Sequence, residues 1–314
     1  MSNLYNVSST PHIRGKMSTQ LIMLIVVISL LPACGFGVYN FGLRALFVLL
    51  FSVASCVLSE YVFNLITKRP NSISDLSAVV TGLLLGMNLP SSVPYFVPVL
   101  GGFFAIIVVK MLFGGLGQNF MNPALGARCF LLISFPKLMT DFVYNGASGA
   151  TPLAQVKNGG CPDLHKMIIG NIPGTIGETS MIAIVLGACI MIMFGIIDLT
   201  ISGTYIVSFG IFLMAFAGKG FDYTFLCYHL AGGGLMLGAF FMATDYVTRP
   251  YTKKGQVIYG IFLGFLTAIF RVFSPSAEGV SYAIIIGNLI VPLIDRITVP
   301  KPFGCEKTKK EGAK

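Results

Sequence analysis

The stretch NGASGATPLAQ, Asn145 to Gln155, presents a threonine hydroxyl in small and weakly charged surroundings. Pro152 disfavours helix at the residue before it, which keeps Thr151 extended. Gly149 and Ala150 leave its hydroxyl sterically open, and Ser148 adds a second hydroxyl nearby. A bare threonine is a weak nucleophile, so esterifying this one requires an external catalyst. A turn-rich surface loop is the plainer account of the same residues.

A second stretch, MLFGGLGQNFMNPALGAR (Met111 to Arg128), places Asn119 behind three glycines and opens an apolar run with Asn122-Pro123. An asparagine amide both donates and accepts, which suits the imide edge of a heterocycle such as a flavin ring. Proline costs little at a helix start, and the amides beyond Pro123 are expected to be free for a ligand. A glycine-rich turn with asparagine caps is the alternative. In IPGTIGETSMIAIVLG, Glu178, Thr179 and Ser180 fall at the start of another apolar run. A hydroxyl cap is expected there, and a ligand phosphate or ring beside the same helix start is compatible with it. Glu60 lies eight residues before Lys68, ~12 Å inward along a helix. An intramembrane carboxylate suggests a cation relay, and pairing with a basic residue on a neighbouring helix explains it equally well.

The elements that position these residues are apolar almost throughout. The chain has 314 residues, 55% of them hydrophobic, and a mean hydropathy of +0.82, which excludes an ordinary soluble domain. Runs of about 20 apolar residues span a bilayer. Ten such spans are read, near 18–36, 42–66, 75–89, 94–113, 119–135, 179–198, 201–217, 225–243, 256–273 and 279–294. The first is read as retained rather than cleaved, because its apolar core is longer than that of a signal peptide. The expected class is an all-α polytopic membrane protein. It divides into a cytoplasmic leader (1–16), a first five-helix repeat (17–135), an extracytoplasmic loop (136–178), a second repeat (179–295) and a basic tail (296–314).

Lysine and arginine accumulate in cytoplasmic loops. With the N-terminus inside, 15 of the 21 basic residues fall on the cytoplasmic side, Lys110 and Arg128 among them, while Arg271 falls outside. Both termini are therefore expected inside the cell membrane and the long loop outside. The net charge of +9 is accounted for by basic loops facing an anionic leaflet, so no nucleic-acid partner is expected. The seven cysteines show no Cys-x-x-Cys spacing and only three histidines exist, so no metal centre held by this chain alone is read.

Two blocks of sequence are alike. LLLGMNLP from Leu83 matches LMLGAFFMATD from Leu235, and AIIVVKMLFGG places Lys110 where TAIFRVFSP places Arg271. Copies of five spans must be inverted relative to one another, and inverted repeats hold their binding sites near the midplane, at short or broken helices. The third, fifth and tenth spans are the ones read as short or interrupted.

Taken in order, STPHI, LPA, DLSAVVTGLLLGMNLP, FGGLGQNFMNPALGAR, SGATPLAQV and GETSMIAIVLGA make the chain similar to the D subunits of the Rnf complex, the membrane-bound ferredoxin:NAD+ oxidoreductase. More distantly it resembles the B subunits of the Na+-translocating NADH:quinone oxidoreductase. The resemblance implies an electron-transfer subunit that works with the other Rnf subunits (A, B, C, E and G), and indirectly with ferredoxin and NAD, to move Na+ or H+. It implies covalent FMN on Thr151, attached by a flavin transferase, with Ser148, Gly149, Ala150, Glu178 and Thr179 around it. It further implies non-covalent riboflavin at Asn119 and Asn122, with Arg128 as a neighbour, and it leaves Glu60 as the candidate for ion coupling. The transferase pattern carries Asp six residues before the threonine, where this chain has Asn145. On architecture alone, a solute channel of urea-channel-like form without a redox cofactor is the alternative.

Overall fold

The computed structural model describes residues 17–144, 147–218, 222–274 and 279–300, with Ser148 described by its backbone alone. The leader, Asn145 and the tail beyond 300 lie outside the described residues.

Helices occupy all ten apolar segments. The first half contains α1 (Thr19–Phe41), α2 (Leu43–Thr67), α3 (Ser77–Met87), α4 (Phe96–Phe103, continued as π-helix over Phe104–Met111) and α5 (Pro123–Ser134). The connecting segment holds α6 (Pro136–Met139), a short hairpin of β1 (Val143–Tyr144) and β2 (Ala147–Ser148), α7 (Pro152–Lys157) and α8 (Leu164–Ile169). The second half contains α9 (Met181–Met193), α10 (Leu199–Ala217), α11 (Tyr223–Ala231), α12 (Leu235–Leu237, continued as π-helix over Gly238–Met242), α13 (Lys253–Phe273) and α14 (Val280–Thr298).

Among the described residues, five helices are long and apolar enough to cross a membrane: α1, α2, α10, α13 and α14. A sixth crossing results if α11 and the segment Leu235–Met242, bent by 64°, count as one span. The exterior carries many exposed large apolar side chains, including Leu31, Leu65, Val207, Ile211 and Leu293. A continuous apolar exterior of this kind requires lipid or protein against it, and the chain is a multi-pass membrane protein.

Small residues let the helices approach closely, as expected where lipid tails provide no hydrophobic drive for association. Ser52 Oγ of α2 donates to Gly82 O of α3 at 2.8 Å, and Ser55 Oγ donates to Pro98 O of α4 at 3.3 Å. In the second half Ser202 Oγ of α10 donates to Ala239 O at 2.8 Å, and Ser208 Oγ donates to Gly260 O of α13 at 3.1 Å. A Cβ at Gly102 would run into Ser55 Oγ, and one at Gly264 into Ser208 Oγ. The second helix of each half thus grips the third and fourth in the same way.

Hydrogen bonds sort the connections into two sets. Arg44 donates to Ser92 O at 2.6 Å, Ser92 Oγ to Asp141 O at 2.5 Å, Asn40 to Gly170 O at 3.0 Å, and Lys157 to Ser274 O. In the other set Arg69 donates to Gly114 O at 3.5 Å, Tyr251 N to Asp295 Oδ1 at 3.1 Å, and Lys253 pairs with Asp198.

The structure corrects four expectations. The tenth segment is not short, since α14 runs unbroken for 19 residues through Pro292. The eighth is broken instead, at 232–234, because Gly233 and Gly234 adopt φ of 65° and 66°, a region that L side chains avoid. The sixth is also short, at 13 residues. Lys110, Arg128 and Arg271 do not decorate loop ends; they are 3%, 4% and 2% exposed, each held by buried partners, so they carry no information about sidedness.

Candidate functional site: two pockets and a buried ion pair

Thr151 caps α7. Its φ of −58° and ψ of 151° are the extended geometry that Pro152 favours, and its Oγ1 accepts from Ala154 N at 3.3 Å. That contact uses a lone pair of the oxygen and leaves the hydroxyl hydrogen replaceable. Gly149 and Ala150 are exposed beside it, while Thr151 is half-buried. The Ser148 side chain and Asn145 are outside the described residues.

An outer pocket, so called because it borders the long connecting segment, spans about 410 Å³ including the space open to solvent. Thr151 and Leu153 line it together with Pro173, Thr175, Glu178, Thr179 and the broken-helix glycines Gly232 and Gly233. Thr175 was not singled out by its sequence. It is 2% exposed, and its Oγ1 has no hydrogen-bond partner among the described residues. A buried unpaired hydroxyl costs about 1–3 kcal/mol.

Glu178 and Thr179 do not cap α9; that part falls to Ser180, whose Oγ accepts from Ala183 N at 3.3 Å. Glu178 instead turns inward, and its Oε1 accepts from Arg128 Nη1 at 2.6 Å. The same guanidinium nitrogen donates to Asn88 Oδ1 at 2.5 Å. A fork of fixed donors is suited to such a buried contact.

The inner cavity is larger, about 770 Å³ of empty space. Asn119, Asn122, Ser77, Thr81 and Lys110 supply polar atoms, and Val26, Leu84, Met191 and Phe241 supply apolar walls. Asn122 is the N-cap of α5 with Pro123 in the first turn; its Oδ1 accepts from Ala124 N at 3.1 Å and Leu125 N at 3.4 Å. These amides are therefore not free for a ligand, contrary to expectation. The other end of the side chain, Nδ2, reaches Met242 O at 3.5 Å. Asn119 Nδ2 donates to Met121 O at 3.0 Å, which leaves its carbonyl oxygen as an acceptor. Asn288 of α14, with its amide oriented to satisfy its neighbours, accepts from Asn122 N at 3.1 Å and donates to Tyr259 Oη at 2.7 Å.

Two more residues near this cavity matter. Asp245, unremarked in the sequence, lines it from the loop after the second π-segment, and burial pushes its carboxyl up from the ordinary range. Glu60 is fully buried, but it does not line the cavity; Lys110 Nζ donates to its Oε2 at 2.7 Å. Of the residues expected around the two flavins, Asn119 and Asn122 share the inner cavity. Thr151, Glu178 and Thr179 share the outer one. Arg128 stands between, bonded to the wall of the outer pocket and, through Asn88, to the end of α3.

A family model described as the NQR2, RnfD, RnfE family matches residues 6–304. The chain is 44% identical to the D subunit of the Na+-translocating ferredoxin:NAD+ oxidoreductase complex of Acetobacterium woodii, covering 97% of each chain. It is 41% identical to the D subunit of the proton-translocating ferredoxin:NAD+ oxidoreductase complex of Clostridium ljungdahlii, covering 97% of this chain and 98% of that one. With the D subunit of the ion-translocating oxidoreductase complex of Actinobacillus succinogenes it shares 32% identity over 96% of this chain and 98% of the relative.

Proposed function

The chain belongs to the NQR2, RnfD, RnfE family, and from that premise we propose that its two pockets are flavin sites in an electron path across the membrane. It is a membrane component of an ion-translocating ferredoxin:NAD+ oxidoreductase complex of the Rnf type. In this reading FMN is esterified through its phosphate to Thr151 and lies against the outer pocket. Riboflavin is held without a covalent bond in the inner cavity. The flavins supply one-electron chemistry, and the protein supplies position, polarity and exclusion of water.

The residues fit these groups. The inner cavity has the mixture of apolar walls and a few convergent polar groups usual at small-molecule sites. Asn119 and Asn122 can meet a heterocycle edge that both donates and accepts. The observation that carries the outer assignment is Thr151 itself, held extended at the start of α7 and lining the same pocket as Glu178 and Thr179. Gly149 and Ala150 leave the approach to Thr151 open for the transferase, and Asn145 departs from its usual carboxylate.

The two five-helix halves, 17–135 and 179–295, are proposed as inverted copies, with both termini cytoplasmic and the Thr151 loop outside the cell membrane. Other Rnf subunits would deliver and accept the electrons. The sodium and proton relatives are nearly equally similar to this chain, so overall likeness does not select the ion. Glu60 is the proposed coupling carboxylate within that reading.

The test is direct. The wild-type chain, made in a host expressing the flavin transferase, should fluoresce under ultraviolet light on a denaturing gel. Acid extraction of the intact complex should release riboflavin. A dark band removes the outer assignment, and an extract without riboflavin removes the inner one.

A further inference from the structure

The wall of the inner cavity carries a buried basic side chain. Lys110, at the π-helical end of α4, is 3% exposed and lines the cavity with Asn119 and Asn122. Its Nζ donates to Glu60 Oε2 at 2.7 Å and to Ser77 Oγ at 2.6 Å. An ammonium has three donors, so two partners anchor it and one donor remains for the cavity. Glu60 stands behind it, with Ser72 Oγ donating to its second oxygen at 2.5 Å and Asn64 Nδ2 donating to Ser72 Oγ at 3.0 Å. The pair is thus oriented, positive end toward the cavity and negative end away. Among the other charged groups nearby, Asp75 accepts from Ser77 Oγ at 2.5 Å, and Asp245 lines the cavity from a different element.

We propose that Lys110 is a positioning residue for the flavin of the inner cavity, its ammonium pre-oriented by Glu60 and Ser77 to stabilise negative charge gained there and so to raise that flavin's reduction potential. Charges act strongly where water is excluded, and donors fixed in advance need no reorganisation when charge develops. Glu60 is then the counter-ion of Lys110, in addition to any part in ion coupling. The inference rests on the cavity reading given above. The second half supports it by its plan: Arg271, aligned with Lys110 in the sequence repeat, donates to Gly232 O at 2.9 Å and Gly233 O at 3.0 Å, the glycines that wall the outer pocket.

The experiment uses the purified, intact complex. The midpoint potential of the acid-extractable flavin is measured by spectroelectrochemical titration in wild type, Lys110→Met and the double variant Lys110→Met/Glu60→Gln. The double variant avoids stranding a buried carboxylate and guards against misfolding. The expected result is retained riboflavin with a more negative potential in both variants, while Glu60→Gln alone shifts the potential in the positive direction. Wild type holding riboflavin whose potential neither Lys110 variant moves overturns this inference alone and makes the pair purely structural. A wild-type complex with no extractable riboflavin overturns the cavity reading, and this inference with it.

Discussion

The two pockets are built from different parts of the chain. The inner cavity is walled largely by helices, with Asn119, Asn122, Ser77, Thr81 and Lys110 as its polar contacts. The outer pocket holds about 410 Å³, and much of its wall comes from the loop segment around Thr151 and residues 172–179. A ligand set against such a wall must offset the entropy of association before it is retained. A covalent tether removes that requirement. The comparison teaches why one chain would use an ester at one pocket and none at the other.

Thr151→Ala gives the largest effect, complete loss of gel fluorescence, while extractable riboflavin stays at wild-type content. If the inner flavin leaves as well, the two pockets are not independent. Arg128→Met leaves Glu178 as an unpaired buried charge beside the outer pocket, a loss of ~3–5 kcal/mol. It should sharply lower the thermal stability of the solubilised complex, and the double variant Arg128→Met/Glu178→Gln should recover part of that.

Asn122→Ala removes the α5 cap, worth ~1 kcal/mol, together with an amide facing the cavity. Riboflavin content measured after dilution should fall, with affinity weakened roughly tenfold, and Thr151 fluorescence should persist. Thr175→Val should leave folding intact or slightly improved in protein lacking FMN, because the hydroxyl has no partner among the described residues to lose. In flavinylated protein the same substitution should shift the FMN absorption spectrum. An unchanged spectrum would separate Thr175 from the ligand.

The smallest effect is expected far from both pockets. Lys253 holds the Asp198 carboxyl below the usual range through a hydrogen bond and its charge. A lowered carboxyl pKa contributes stability above the ordinary value of 3.8 and loses it as pH falls toward the folded-state value. Both groups are solvent-exposed, so Asp198→Asn should leave thermal stability at neutral pH unchanged within error.

Much of this was legible in the chain. All ten apolar segments became helical, the eighth as a broken pair, because composition over about 20 residues is a local signal that a membrane environment does not override. Pro152 set the extended geometry of Thr151, and Asn122-Pro123 set the start of α5, both through steric rules acting between neighbours. The break at 232–234 was written in three consecutive glycines, yet hydropathy averaging concealed it. Asn88, Thr175, Asp245 and Asn288 carried no signal of their own, since nothing in a side chain's type tells which distant helix will reach it.

The sequence by itself determined the class of molecule, its apolar segments and the threonine of the connecting loop, all properties of contiguous residues. Only the tertiary structure decided that Lys110 meets Glu60 across 50 positions and Arg128 meets Glu178 across 50, and that the polar residues divide between two pockets. The physical reason is the cost of leaving a charge alone in a medium of low dielectric. That cost requires every buried ion to find a partner, but the folding of the whole chain selects which one.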